Sequence, residues 1–121
     1  MADEATIFAS VRFVKGSTVV ELGADNLQVD VSGNQFAWQR QSVGTSEEAI
    51  DIGEVSTGGY FCAINRDPTN FVSIRQATGG TDFIRLNAGE VCCFRIHASS
   101  VAPFWIADTA VCQVEFLLLP A

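Results

Sequence analysis

Catalysis by a hydroxyl or thiol nucleophile needs a general base, most often an imidazole held by a third group. This chain of 121 residues has one histidine, His97, and no neighbour in sequence completes a triad around it. A lone imidazole also fails to build a metal centre of the multi-histidine kind; His97 reads as a solvent-facing strand residue in phase with Arg95. Glu47, Glu48 and Asp51 form a small acidic cluster without the ligand spacing of an EF-hand loop, and it reads as a solvated loop. Gly79-Gly80 opens no helical pattern, so it signals a hairpin and not a phosphate cradle. The four cysteines, Cys62, Cys92, Cys93 and Cys112, fit no CxxC knuckle. They read as small apolar residues, with Cys92 and Cys93 on opposite faces of one strand. No catalytic, cofactor-binding or metal-binding residue is expected, and the chain is not expected to be an enzyme.

The aromatic residues suggest another kind of chemistry. Trp38, Tyr60 and Trp105 could stack on a sugar ring, although large aromatics at strand positions usually fill the core. Trp105 is the expected exception, because Pro103 beside Phe104-Trp105 suggests an edge or loop. A Phe-Trp pair there suits a subunit interface as well as a glycan.

Whatever these residues do, strands must position them. Period-two alternation marks half-buried strands. It runs through Ile7, Ala9, Val11 and Phe13, through Leu27, Val29 and Val31, through Phe36 and Trp38, and through Val72 and Ile74. It is clearest in Cys112, Val114, Phe116 and Leu118. The strand from Tyr60 to Ile64 is apolar on both sides, which predicts a central position. Gly-, Pro- and Asn-rich turns fall at 15–17, 23–26, 32–34, 56–59, 66–70, 78–81 and 87–90. Thr45 to Ala49 is read as a single helical turn with an acidic N-terminus. The expected fold is all-β: one antiparallel β-sandwich over residues 1–121, jelly-roll or Ig-like Greek key, with at most one helical turn.

Composition bounds the partners. A net charge of −7 and a pI near 4.4 leave no basic surface for nucleic acid or anionic lipid. The first residues carry neither a basic segment nor a long apolar run, so the protein is expected to be made in a cytosol, without a membrane span. Mean hydropathy of +0.24 is high for a small monomer, which points to apolar surface covered in a symmetric homo-oligomer such as a trimer. Residues 1–13 are expected to form a docking arm or edge strand. The expected interface comprises Ile7, Phe8, Val11, Phe13, Phe104 and Trp105.

About two-thirds of the chain, from Gly44 onward, carries a resemblance in its turns and strand ends. The pieces are Gly44-Thr45-Ser46-Glu47-Glu48-Ala49, Ile52 to Tyr60, Asn65-Arg66-Asp67-Pro68-Thr69-Asn70-Phe71-Val72, Leu86-Asn87-Ala88-Gly89-Glu90, Ile106 to Ala110 and Val114 to Leu118. Together they resemble small virion proteins of tailed bacteriophages. The resemblance implies a β-sandwich module that assembles on the particle and carries no catalytic residues. The function expected from it is capsid decoration, or cementing, with the major capsid protein or another virion protein as partner, on a virion assembled in a bacterial host cytoplasm. A tail, baseplate or connector protein and a glycan-binding adhesion module are the alternatives.

Overall fold

The computed structural model describes residues 4–97 and 103–121, which form ten strands and no helix. The chain divides into two compact units, Met1–Ser32 and Gly33–Ala121. The sandwich therefore occupies 33–121, not the whole chain as the sequence suggested.

The first unit is a β-hairpin of β1 (Ala5–Lys15) and β2 (Thr18–Val29), paired antiparallel along their whole length. Residues 1–3 of the expected arm lie outside the described residues. Gly16 takes φ +59° at the first turn position, with Ser17 on the ordinary side of φ, which is the II′ turn that matches strand twist. The turn expected at 23–26 is instead strand. The register slips there by one residue, and Asn26 adopts φ 55° in the resulting bulge. Asn tolerates this conformation better than other residues with a Cβ.

The second unit pairs in nested fashion. Strand β3 (Ala37–Val43) pairs with β10 (Cys112–Pro120), β4 (Glu48–Ala49) with β9 (Phe104–Ala107), β5 (Gly58–Asn65) with β8 (Val91–Arg95), and β6 (Val72–Arg75) with β7 (Asp82–Leu86). The segment from 37 to 120 is thus one long hairpin closed by the turn at Ala77–Gly80, where Gly79 has φ +70°. Rolling that ribbon brings β10 beside β5 and β9 beside β6. The result is two four-stranded antiparallel sheets, β3-β10-β5-β8 and β4-β9-β6-β7, which is jelly-roll connectivity.

Between the sheets, alternate residues of each strand form the core, as period two requires. Phe61 of β5 and Phe116 of β10 meet Trp105 of β9, with ring centroids 6.3 and 5.4 Å from it. Strand β5 is central, as its two apolar faces predicted. Trp105 corrects the expectation of an exposed edge: it is 0% exposed. Its strand lies between β4 and β6, and its side chain falls on the inward parity with Ala107. Phe104, on the outward parity, is half-buried.

The helical turn expected at 45–49 is also absent. Glu48 and Ala49 pair with Trp105 and Phe104, and Ile50 N–H donates to Pro103 O at 3.0 Å. The backbone finds its partners across the sheet instead of within a turn. One polar side chain is wholly buried at the end of β5. Asn65 Nδ2 donates to Asn70 O at 2.9 Å and Leu86 O at 3.0 Å, while its Oδ1 accepts from Asp67 N–H at 3.0 Å. These bonds satisfy its amide and tie the end of β5 to the 66–70 loop and β7.

Candidate functional site

In an antiparallel pair, residues directly opposite share one face. On the hairpin the pairs Ala5–Val29, Ile7–Leu27, Ala9–Ala24, Val11–Leu22 and Phe13–Val20 share a face, and all ten residues are apolar. The other face carries Thr6–Gln28, Ser10–Gly23, Arg12–Glu21 and, near the tip, Val14–Val19. The ribbon is therefore amphipathic from Ala5 to Phe13, about 27 Å at the usual rise per residue. Its apolar face is largely bare to solvent: Val11 is 72% and Leu22 83% exposed.

Two local features keep that face continuous. The bulge at Asn26 shifts the phase of β2 by one residue, so Leu27 and Val29 join Val20, Leu22 and Ala24 on one side. Without the slip, a one-residue offset would have turned Leu27 and Val29 to the polar face. At Gly23 the strands approach closely: a Cβ there would lie 2.4 Å from Ser10 Cβ. The base of the hairpin is closed by Val31 N–H donating to Glu4 Oε1 at 3.0 Å.

The structure brings Ile7, Val11 and Phe13 together on this face and adds Val20, Leu22 and Leu27, which the sequence reading missed. The missed signal was the alternation of Val20 and Leu22 before Gly23, followed by Leu27 and Val29 in shifted phase. Phe8 faces the other way, opposite the bulge, and is 67% exposed. Phe104 and Trp105 belong to the other unit.

The acidic cluster is not assembled into a site. Glu47 accepts from Arg75 Nη1 at 2.7 Å and from Gly79 N–H at 3.0 Å. Glu48 accepts from Gly44 N–H and Gln41 Nε2, both at 2.9 Å. Asp51 caps Gly53 N–H at 3.1 Å. Glu48 and Asp51 brace nearby backbone, Glu47 reaches across to the β6–β7 hairpin, and no cluster of three metal-ligating side chains occurs among the described residues. The Arg75 hydrogen bond holds the Glu47 carboxyl below the ordinary range, with Gly79 N–H adding to it.

A cleft of about 700 Å³ opens between the β6–β7 hairpin and the end of β8. Ile74, Phe83, Ile84, Phe94 and Ile96 give it apolar walls, and Arg75, Arg95 and His97 contribute polar groups. His97 lies just beyond the end of β8 and is exposed, on the same solvent-facing parity as Arg95, as the sequence suggested. No carboxylate and no cysteine is among the described lining residues.

The chain matches no family model, no curated protein and no solved structure in comparison. The jelly-roll connectivity rests on the strand pairing alone, and a fold of this kind serves many unrelated functions. The site has to carry the functional argument.

The aromatics separate differently from expectation. Trp38, on edge strand β3, is 68% exposed, while Trp105 is core. The outer face of the β3-β10-β5-β8 sheet carries a row of paired residues, Trp38–Leu117–Cys62–Cys93. Beside it Arg95 lies over the Tyr60 ring, 4.6 Å from its centroid.

Proposed function

We propose that this protein is a structural assembly protein of a tailed-bacteriophage virion, a capsid decoration protein that seats the apolar face of its hairpin on the coat. The observation that carries the reading is that face: ten apolar residues paired in register, with Lys15–Thr18 at the tip the one polar pair on that side. A two-stranded hairpin is marginal in water by itself. A bare apolar surface of this extent marks a contact site on a small protein. Burying one such side chain stabilises a contact by about 1.5–3 kcal/mol, so a few of them suffice for tight seating.

The virion setting rests on the resemblance in the turns and strand ends from Gly44 onward, and decoration is the role it favours. In that role the protein stabilises the shell by mass action, because it binds the assembled coat and not its separated subunits. The major capsid protein is the partner proposed. A homo-oligomer at the junctions between coat subunits belongs to the same proposal, as does synthesis in the bacterial host cytoplasm. Quantitative mass spectrometry of purified particles tests it. Hundreds of copies in simple ratio to the major capsid protein support decoration. A few to a few dozen copies move the protein to the tail, baseplate or connector. Absence from the particle removes the virion reading.

Glycan binding is the second reading, favoured by exposed Trp38. It predicts weak sugar binding that Trp38→Ala abolishes.

A further inference from the structure

The β5–β8 register sets two cysteines side by side. Ile96 N–H donates to Gly59 O, and Asn65 N–H donates to Glu90 O. Hydrogen-bonded pairs therefore fall at Gly59, Phe61, Ala63 and Asn65 of β5, and the alternate pair Cys62–Cys93 is a non-hydrogen-bonded one. In such a pair the Cα atoms lie about 4.5 Å apart and the side chains approach closely. That spacing falls at the short end of the range a disulfide spans. Burial, and after it the neighbouring Cys93, push the Cys62 thiol up. Both point to the outer face of the sheet, with Cys93 exposed and Cys62 half-buried.

We propose that Cys62 and Cys93 form a reversible redox site, closed into a cross-strand disulfide by exchange with a low-molecular-weight disulfide such as oxidised glutathione. Cys93, the exposed thiol, loses its proton and attacks one glutathione sulfur. This forms a mixed disulfide and releases one reduced glutathione. The Cys62 thiolate then attacks the Cys93 sulfur, forming the Cys62–Cys93 bond and expelling the second glutathione. The two thiols give up two electrons, which reduce one glutathione disulfide to two thiols, and the two cysteine protons are taken up by the glutathione thiolates.

The other cysteines stay out of this exchange. Cys92 points to the opposite face, and burial pushes its thiol up to about 11. Cys112 is 0% exposed, with its sulfur 3.6 Å from Ala110 O. The bond pins β8, an outer strand held in its sheet by β5 alone. A bridge across so short a span stays reducible, unlike a relaxed structural disulfide. This site is independent of the hairpin and of its partner.

The test uses the full chain, reduced, then exposed to oxidised glutathione and quenched with N-ethylmaleimide. Intact mass is expected to fall by two hydrogens without retained glutathione, and peptide mapping is expected to link Cys62 to Cys93. Tm is expected to rise by about 5 °C or more and to return on adding dithiothreitol. The C92S variant is expected to behave as the parent, and C62S to stall as the Cys93–glutathione adduct. Four free thiols after treatment, a lasting adduct on the parent chain, or a bond mapped to Cys92 would overturn the proposal.

Discussion

Val11 and Leu22 face each other across the hairpin, directly paired, and both leave most of their surface in water. Together they mark the middle of an apolar stripe, with Phe13–Val20 on one side and Ala9–Ala24 on the other. A folded protein normally hides such pairs; here they lie on the ribbon's outside. The proposed docking role rests on this stripe.

Replacing Leu22 with Glu places a charge in the stripe without touching the sandwich core. Binding to coat shells prepared without the protein is expected to weaken by about 10- to 100-fold, the equivalent of one buried apolar side chain. The Tm of the sandwich is expected to stay within about 2 °C. Titration of labelled variants against the shells, with calorimetry alongside, checks both.

Gly23→Val tests the geometry of the ribbon instead of its chemistry. The added side chain collides with Ser10 across the strands, so the strands must part. Loss of shell binding with an unchanged sandwich Tm is expected. Unaltered binding would show that the paired ribbon is not what docks.

Inside the sandwich, Trp105→Ala is expected to cost about 3–5 kcal/mol, because it removes a fully buried indole packed against Phe61 and Phe116. Asn65→Leu is expected to cost roughly 2–4 kcal/mol by stranding Asp67 N–H and the Leu86 and Asn70 carbonyls. Chemical denaturation measures both.

Acid is expected to destabilise the sandwich. The carboxyls of Glu47, Asp67 and Glu115 are held below their ordinary values of 4.5, 3.8 and 4.5, chiefly by Arg75, by Asn70 N–H and by Arg66 respectively. The unfolded chain therefore takes up protons at higher pH than the folded one. The stability these groups contribute is complete above their ordinary values and is lost as pH falls through the folded ones. Tm is expected to hold steady down to about pH 5 and to decline below about pH 4. Glu47→Gln is expected to make that decline shallower in a thermal-melt series.

Much of the sandwich was legible in the sequence, because period two and Gly-rich turns depend on local chemistry. Cys112 to Leu118 is read correctly from alternation, and Tyr60 to Ile64 from its two apolar faces. The failures have particular causes. The Gly23-Ala24-Asp25-Asn26 stretch has the composition of a turn, yet cross-strand pairing with Ala9 and Ser10 keeps it extended, and Asn26 absorbs the slip as a bulge. Thr45 to Ala49 has the capping residues of a helix, but strand β9 supplies the backbone partners. Trp105 and Trp38 exchange expected places because burial depends on which strand is central, and local sequence does not encode that order. The thiol pair Cys62–Cys93 is likewise set by register between strands 31 positions apart in number.

The most direct test of the docking account compares full-length protein with a chain spanning residues 33–121. That unit contains the whole buried cluster from Ala37 to Leu118, so the shortened chain is expected to fold and melt cooperatively. Both are mixed with coat shells prepared without the protein and sedimented. The account predicts that the full chain travels with the shells and that residues 33–121 stay in the supernatant. Equal co-sedimentation of a folded 33–121 would contradict it and move the docking surface to the sandwich.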